Sequence, residues 1–213
     1  MNPTQIATEQ NTVATLLESR STTGHYDPEK TLAPETIREL VRLASFSPSA
    51  FNMQNWYFIA VQSPESKEKL SALAYSQPQI KAAAVTYIVC GQMEGYQELA
   101  KTLQLSVDKQ IISPAIQQSW VETATSMHEN NRQLQRDEAI RSASLSAMSL
   151  IIAAEGMGLA SGTVGGFDAD GIVAEFGLSA QDIPVLLVTV GYASEGNWPQ
   201  KVRKPVEAIL DIC

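Results

Sequence analysis

Apolar side chains recur at helical intervals near the start of the chain. A first set lies roughly on one helical face and predicts a helix from Ile6 to near Arg20. A second set, spaced i, i+3, i+4 and i+7, follows Pro34, a residue that the first turn of a helix tolerates. It predicts an amphipathic helix that ends before Pro48, because the residue preceding a proline avoids the helical region. The sets are Ile6, Val13, Leu16 and Leu17, and Ile37, Leu40, Val41 and Ala44.

Three shorter apolar runs have the aromatic and β-branched composition of strands. They cover Trp56–Val61, Val85–Cys90 and Pro184–Tyr192. A helix over Glu65–Tyr75 is expected between the first two strands. A non-regular loop, Ser47–Asn55, leads into the first strand.

The segment Glu138–Met157 predicts a buried helix, because its residues are apolar or small on every side. The polar segment Glu94–Arg132 has helical propensity and is interrupted at Ser113-Pro114. This segment is predicted to form helices at the periphery of the fold. The residues Ala160–Phe167 are predicted to form a loop.

The order of these elements predicts an α+β fold. A short helix runs from an N-cap at Asp168 to a C′ glycine at Gly177, and residues 193–213 form a carboxyl-terminal arm. Helices and strands do not alternate with the regular spacing of a doubly wound sheet. We therefore expect a small mixed or antiparallel sheet around the buried helix. With neither a repeat nor a linker, residues 1–213 are expected to form one domain.

The overall charge changes the range of expected partners. Asp and Glu total 23 against 15 Lys and Arg, which gives a net charge of −8 and disfavours nucleic acid and anionic membranes. The uncharged stretch of apolar and small residues between Arg141 and Glu155 is shorter than the ~18 residues of a membrane span. The start, Met1–Gln10, shows no signal peptide. With only Cys90, Cys213 and two histidines, a disulfide scaffold and a zinc site are excluded, and we expect a cytoplasmic protein.

Two basic segments are candidates for binding phosphate. Arg20 precedes the hydroxyl-rich stretch Ser21–Gly24, and Lys201 and Arg203 lie on one side of an extended arm. The functional interpretation is one phosphate site made from both ends of the chain. The alternative, which the local sequence alone favours, is a helix-terminal arginine and a solvated tail.

Two loops have residues suited to a planar ligand. Ser47–Trp56 is dense in short polar side chains that could face a heteroaromatic edge, or could bond their own backbone in an ordinary turn. Gly165-Gly166 allow close approach of a ligand to backbone, or simply a turn before Asp168. The chain has no GxSxG elbow, Walker lysine loop, HExxH or GxGxxG motif.

Taken together, four segments resemble the nitroreductase family of FMN-dependent oxidoreductases. They are Arg20–Asp27, Ser47–Trp56, Gly158–Asp168 and Val190–Arg203, and the resemblance extends from about residue 14 to residue 212. It implies an intertwined homodimer of α+β protomers with an FMN in each of two shared pockets. The cofactor-binding residues expected from it are Arg20, Ser21, Thr22, Gly24, Pro48, Ser49, Ala50, Asn52, Gln79, Gly165, Gly166, Lys201 and Arg203.

The resemblance also implies roles for these residues. The phosphate is expected to contact Arg20, Thr22, Lys201 and Arg203, and the loop Pro48–Asn52 is expected to reach the flavin from the partner subunit. Gly165 and Gly166 are expected near the isoalloxazine, and Gln79 at its pyrimidine side.

The chain departs from the family pattern at three positions. Members usually have Arg or Lys where this chain has Gly24, and often Arg where it has Ser21. Loss of a cation near flavin N1 and C2=O makes reduction harder, unless Lys81 or Lys201 replaces it. Some members are acidic at the position of Gly165.

The function implied is transfer of hydride from NADPH or NADH through flavin N5 to a nitroaromatic, quinone or similar small acceptor by a ping-pong mechanism. No catalytic side chain is required, because the flavin carries the chemistry. The helices that hold Trp120 and Met127 are candidate walls of the acceptor pocket. Three alternatives stay open: an enone or quinone reductase with little nitro activity, a flavin-binding protein without turnover, and a helical interaction module.

Overall fold

A computed structural model describes residues 12–213 of the chain. The predicted first helix is present over Thr12–Ser19, and its earlier part, residues 6–11, lies outside the described residues. The helices are α1 (Thr12–Ser19), α2 (Pro34–Ala44), α3 (Pro64–Leu73), α4 (Pro78–Ala82), α5 (Leu99–Asp108), α6 (Pro114–His128), α7 (Arg132–Gly156) and α8 (Ala169–Glu175). The strands are β1 (Trp56–Val61), β2 (Val85–Gln92), β3 (Ala160–Val164) and β4 (Asp182–Gly191).

The four strands form an antiparallel sheet in the order β1-β2-β4-β3. The three predicted strands are confirmed, with small shifts at the ends of β2 and β4. The prediction of a loop over residues 160–167 is wrong at β3. Its sequence, Ala-Ser-Gly-Thr-Val, has weak strand propensity, and pairing with β4 holds it extended. At Gly162 any side chain would collide with the carbonyl oxygen of Thr23, which shows how closely the amino-terminal segment follows this strand.

The long helix α7 packs on one face of the sheet, as the apolar pattern predicted. Alternate residues of β2 point to opposite faces, so that Tyr87 and Val89 face α7 while Ile88 and Cys90 face α3, α4 and α8. At Gly91 the helix approaches so closely that a Cβ would collide with the backbone carbonyl of Ala139. The helix begins six residues before the predicted start because the Asn131 side chain caps it by accepting from the Leu134 amide.

Two further elements depart from the sequence-based expectations. α3 ends at Leu73, two residues early, because Tyr75 and Ser76 adopt left-handed backbone angles (φ 54° and 56°). The short helix α4 that follows was not predicted. The peripheral helices predicted over Glu94–Arg132 are confirmed as α5 and α6. They have a small core of their own that includes Leu99, Leu103 and Ala124. No helix in the described residues is long and apolar enough to cross a membrane.

Candidate cofactor site

The two ends of the described chain meet at the edge of the sheet. After α1 the chain runs beside β3, where Thr22 pairs with Ser161 and the Thr23 amide donates to the Ser161 carbonyl at 2.9 Å. Farther on, the Asp27 amide donates to the carbonyl of Tyr192, just beyond β4, at 2.8 Å. This contact holds the start of the carboxyl-terminal arm against the amino-terminal segment.

A cavity of about 240 Å³ opens where these segments meet. Four residues expected to bind the cofactor line it together: Thr22, Gly24, Gln79 and Lys201. The remaining lining residues are Thr23, His25, Gly162, Thr163, Gly196, Asn197 and Trp198. The structure therefore brings part of the first motif and part of the arm to one place, although Gly24 and Lys201 are far apart in the sequence.

Ser21 lies on the other side of the same segment. It lines a separate cavity of about 450 Å³ with Lys30 and Glu155. Successive side chains of an extended segment point in opposite directions, so Ser21 faces away from the cavity that Thr22 lines.

The predicted cations are placed differently from one another. Of Arg20, Lys201 and Arg203, Lys201 alone lines the 240 Å³ cavity in the described part of the chain. Its ammonium lies 4.8 Å from the centre of the Trp198 ring. Arg20 is half-buried beside it, and its carbonyl accepts from Gln200. Arg203 is exposed and donates to the Lys201 carbonyl at 3.0 Å.

The structure distinguishes between the two lysines considered as substitutes for a cation at Gly24. Lys81 forms an ion pair with Glu68 at 2.6 Å and does not line the cavity, whereas Lys201 does. The position of Gly24 is itself open, because a Cβ there would meet no atom within 4 Å.

A side-chain network connects Gln79 to the glycine turn. The Gln77 Nε2 donates to the Gly166 carbonyl at 2.9 Å, and Gln79 Nε2 donates to Gln77 Oε1 at 3.1 Å. Gly165 and Gly166 are exposed and do not line the cavity, but this network places Gly166 close to Gln79, which does. Gln77 was not among the predicted site residues.

Two more residues that the sequence analysis missed fix the arm. Asn197 Oδ1 accepts from the Gly24 and His25 amides at 2.8 and 3.0 Å, and Gln200 Nε2 donates to the carbonyls of Leu17 and Arg20 at 3.0 and 2.8 Å. Isolated amides in an irregular segment give no periodic signal. Gly196, which directly precedes Asn197, has a positive φ of 94°, a backbone conformation that glycine adopts readily.

The loop that contains Pro48, Ser49, Ala50 and Asn52 lies elsewhere. It precedes Trp56, which pairs with Gly91 at the opposite end of β2 from the cavity. Ser49 Oγ accepts from the Gln54 amide at 2.9 Å, as in the simple-turn interpretation. The backbone is strained nonetheless, since three residues have positive φ: Phe51, Asn52 and Gln54.

Burial holds three titratable groups in or beside the sheet neutral, namely Tyr26, Tyr87 and Cys90. Burial raises the pKa of Tyr26, whose hydroxyl lies 2.9 Å from Thr189 Oγ1 behind the cavity. Burial, with a smaller effect of Asp182, raises the pKa of Cys90 to about 12, so this thiol is unreactive packing. Neither the Tyr26 hydroxyl nor the Cys90 thiol is therefore ionised at ordinary pH.

The donor set of the cavity fits a phosphate-bearing planar cofactor. It offers the Lys201 ammonium, the Thr22 hydroxyl and the carboxamide of Gln79, while the Gly24 and His25 amides are already used by Asn197. A larger groove of about 590 Å³ between α5 and α6 contains none of the predicted residues.

Comparison with known proteins identifies the family. The model of the nitroreductase family matches residues 17–192. YodC of Bacillus subtilis, provisionally named an NAD(P)H nitroreductase, is 30% identical over 178 residues, which are 84% of this chain and 88% of that protein. A provisionally named nitroreductase of Exiguobacterium sibiricum, solved in complex with FMN, has a TM-score of 0.88 and 26% identity, covering 94% of this chain and 97% of its own. An enone reductase of CLA biosynthesis from Lactiplantibacillus plantarum is 21% identical over 189 residues, 87% of each.

The chain belongs to the nitroreductase family, an assignment that rests on a match to most of its length. The resemblance inferred from the four motifs is confirmed, as is the α+β class, and the chain is an oxidoreductase of this family. The expected cofactor and co-substrate, FMN and NAD(P)H, agree with the FMN complex and with the name of YodC.

Proposed function

We propose that this chain is an FMN-dependent NAD(P)H oxidoreductase that reduces a nitroaromatic, quinone or similar small acceptor by a ping-pong mechanism. The observation that supports it most directly is the meeting of Thr22, Gln79 and Lys201 at one cavity, although they come from three separate parts of the chain. FMN, when bound, supplies hydride acceptance and donation at N5.

The chain's own residues bind the cofactor and orient it. The Lys201 ammonium and the Thr22 hydroxyl, which line the cavity, would hold the phosphate by charge-assisted and neutral hydrogen bonds. Arg20 and Arg203, which do not line it, would be further phosphate contacts. The Gln79 carboxamide fixes the pyrimidine edge, and Gln77 holds the Gly165-Gly166 backbone beside it through the Gly166 carbonyl.

The same proposal includes a homodimer, because within one chain the cavity and the Pro48–Asn52 loop lie far apart. The cavity lies at the β3 edge, level with Val85, whereas the Pro48–Asn52 loop enters β1 beside Gly91. Six residues of β2 and three strand spacings separate them, which is about 20 Å along the sheet and ~14 Å across it. A second copy that presents its loop to this cavity would complete the pocket.

Exposed apolar surface supports a second copy as the partner. A groove of about 500 Å³ along α7 is lined by Leu16, Leu43, Met148, Ser149, Ile152, Ala153, Gly156 and Met157. The arm is rich in exposed apolar side chains as well, namely Val202, Val206, Ile209, Leu210 and Ile212. An acidic, water-soluble monomer rarely exposes apolar groups in such number, so we infer that they cover one another between copies.

The test of the proposed function is an absorbance spectrum of the purified protein, before and after anaerobic addition of NADPH or NADH. Flavin bands near ~370 and ~450 nm that bleach with the nucleotide are expected. Bands that persist would favour the flavin-binding protein without turnover, and a protein that binds no added FMN would contradict the proposal.

Steady-state kinetics tests the mechanism and the acceptor. Parallel double-reciprocal lines are expected when NAD(P)H and acceptor are varied, and intersecting lines would exclude the ping-pong order. The enone reductase of Lactiplantibacillus plantarum makes an enone the second acceptor class to test beside nitroaromatics and quinones. Turnover of the enone with little nitro activity would select that alternative. A cytoplasmic location stays a prediction of the sequence.

A further inference from the structure

The arm carries Lys201 to the cavity without any regular structure of its own. Between Tyr192 and Pro205 the described chain forms neither helix nor strand. The placement of the Lys201 ammonium therefore depends on individual contacts made by neighbouring residues of the arm.

Asn197 supplies four of these contacts. Its Oδ1 accepts from the Gly24 and His25 amides, and its Nδ2 donates to the carbonyls of His25 and Ser194 at 2.8 and 2.9 Å. A carboxamide has two donor hydrogens and two acceptor lone pairs, so every bond that this side chain can make is used. No other residue type of similar size offers the same set.

Gln200 provides a second attachment immediately before Lys201. Its Nε2 donates both hydrogens, to the carbonyls of Leu17 and Arg20. These carbonyls lie at the end of α1, where a helix has no internal partners for them. The two amides thus attach the arm to the segment that carries Arg20, Thr22 and Gly24.

We propose that Asn197 is a positioning residue of the cofactor site, which holds Lys201 against the segment that carries Thr22, in the arrangement that binds the phosphate of FMN. The proposal rests on the function proposed above. Asn197 acts through Lys201, because its own hydrogen bonds are all made within the protein and leave none for the cofactor.

The test measures FMN affinity by titrating FMN into apo-protein. Asn197→Ala is expected to raise the Kd about 10- to 100-fold, which is the loss expected when one charge-assisted contact is no longer held in place. Asn197→Asp should do no better, because a carboxylate keeps the two acceptors but sets negative charge against the carbonyls of His25 and Ser194. The control is Ser63→Ala, which removes the cap of α3 away from the site and should leave the Kd unchanged.

A double-mutant cycle separates positioning from general stability. If Asn197 acts through Lys201, then Asn197→Ala should have little further effect on the Kd in a Lys201→Ala background. Should Asn197→Ala fail to fold, Asn197→Asp takes its place in the same cycle.

Two results would overturn the proposal. An Asn197→Ala protein with a Kd within about 2-fold of the original would do so, as would losses that multiply in the double variant. If the unaltered protein binds FMN, such a result defeats only the role of Asn197. If it binds none, the proposed function fails as well.

Discussion

At the scale of single residues, the two lysines near the site differ in what surrounds them. The Lys81 ammonium forms an ion pair with Glu68, whereas Lys201 lines the cavity with its ammonium over the Trp198 ring. We therefore expect Lys201→Ala to weaken FMN binding by roughly one to two orders of magnitude, the equivalent of ~1.5–3 kcal/mol. Lys81→Ala is the matched control and should leave the FMN Kd, measured by fluorescence titration, unchanged. Equal losses in the two variants would mean that the phosphate does not lie beside Lys201.

Gly24 allows a test of the missing cation. Its surroundings are open, since a Cβ there would meet no atom within 4 Å. Gly24→Arg should stabilise the negative charge of the reduced flavin and raise its two-electron midpoint potential by about 20–40 mV, equivalent to ~1–2 kcal/mol. Gly24→Ala adds bulk without charge and should leave the potential where it is. A potential that does not respond to the arginine would place the flavin N1 side away from Gly24.

At the scale of elements, α7 and β2 approach so closely at Gly91 that a Cβ has no room. Gly91→Ala forces a Cβ into the Ala139 carbonyl, so we expect the free energy of unfolding to fall by about 1–3 kcal/mol. Urea denaturation followed by circular dichroism measures it. The control is Gly165→Ala, whose Cβ meets nothing within 4 Å and which should unfold at the same urea concentration as the original protein. An unchanged Gly91→Ala midpoint would show that the helix can shift at no cost.

The helices and strands differ in how far they could be predicted from the sequence. β1 was predicted with its observed bounds and α2 with its start, because apolar residues at the spacing of a strand or a helix follow directly from one buried face. β3 was missed because its extended state depends on β4 and on the segment around Thr23, which are remote in sequence. The contribution of Asn197 depends likewise on partners 172 and 173 residues away. Side-chain amides in irregular segments are visible only once the fold brings their partners to them.

At the scale of the whole molecule, the sheet separates the two groups of residues that are expected to bind FMN. Thr22 and Lys201 stand at one corner, while the strained loop around Asn52 stands at the diagonally opposite one. A chain that keeps both in this rigid sheet cannot bring them together by a local movement. Their joint use at one FMN, as proposed above, would require a second copy, so FMN binding is expected to depend on association of two chains.

Dilution tests this dependence directly. As the protein is diluted until sedimentation shows monomers, FMN should be released and its fluorescence should rise, because in the proposed homodimer each monomer supplies only part of the pocket wall. Met148→Glu places a charge on the apolar groove of α7, where the side chain is 40% exposed and distant from the cavity, and should promote both dissociation and FMN loss. Ala72→Glu, on the exposed side of α3, adds the same charge elsewhere and should alter neither. A monomer that retains FMN with its original affinity would show that one chain completes the site alone.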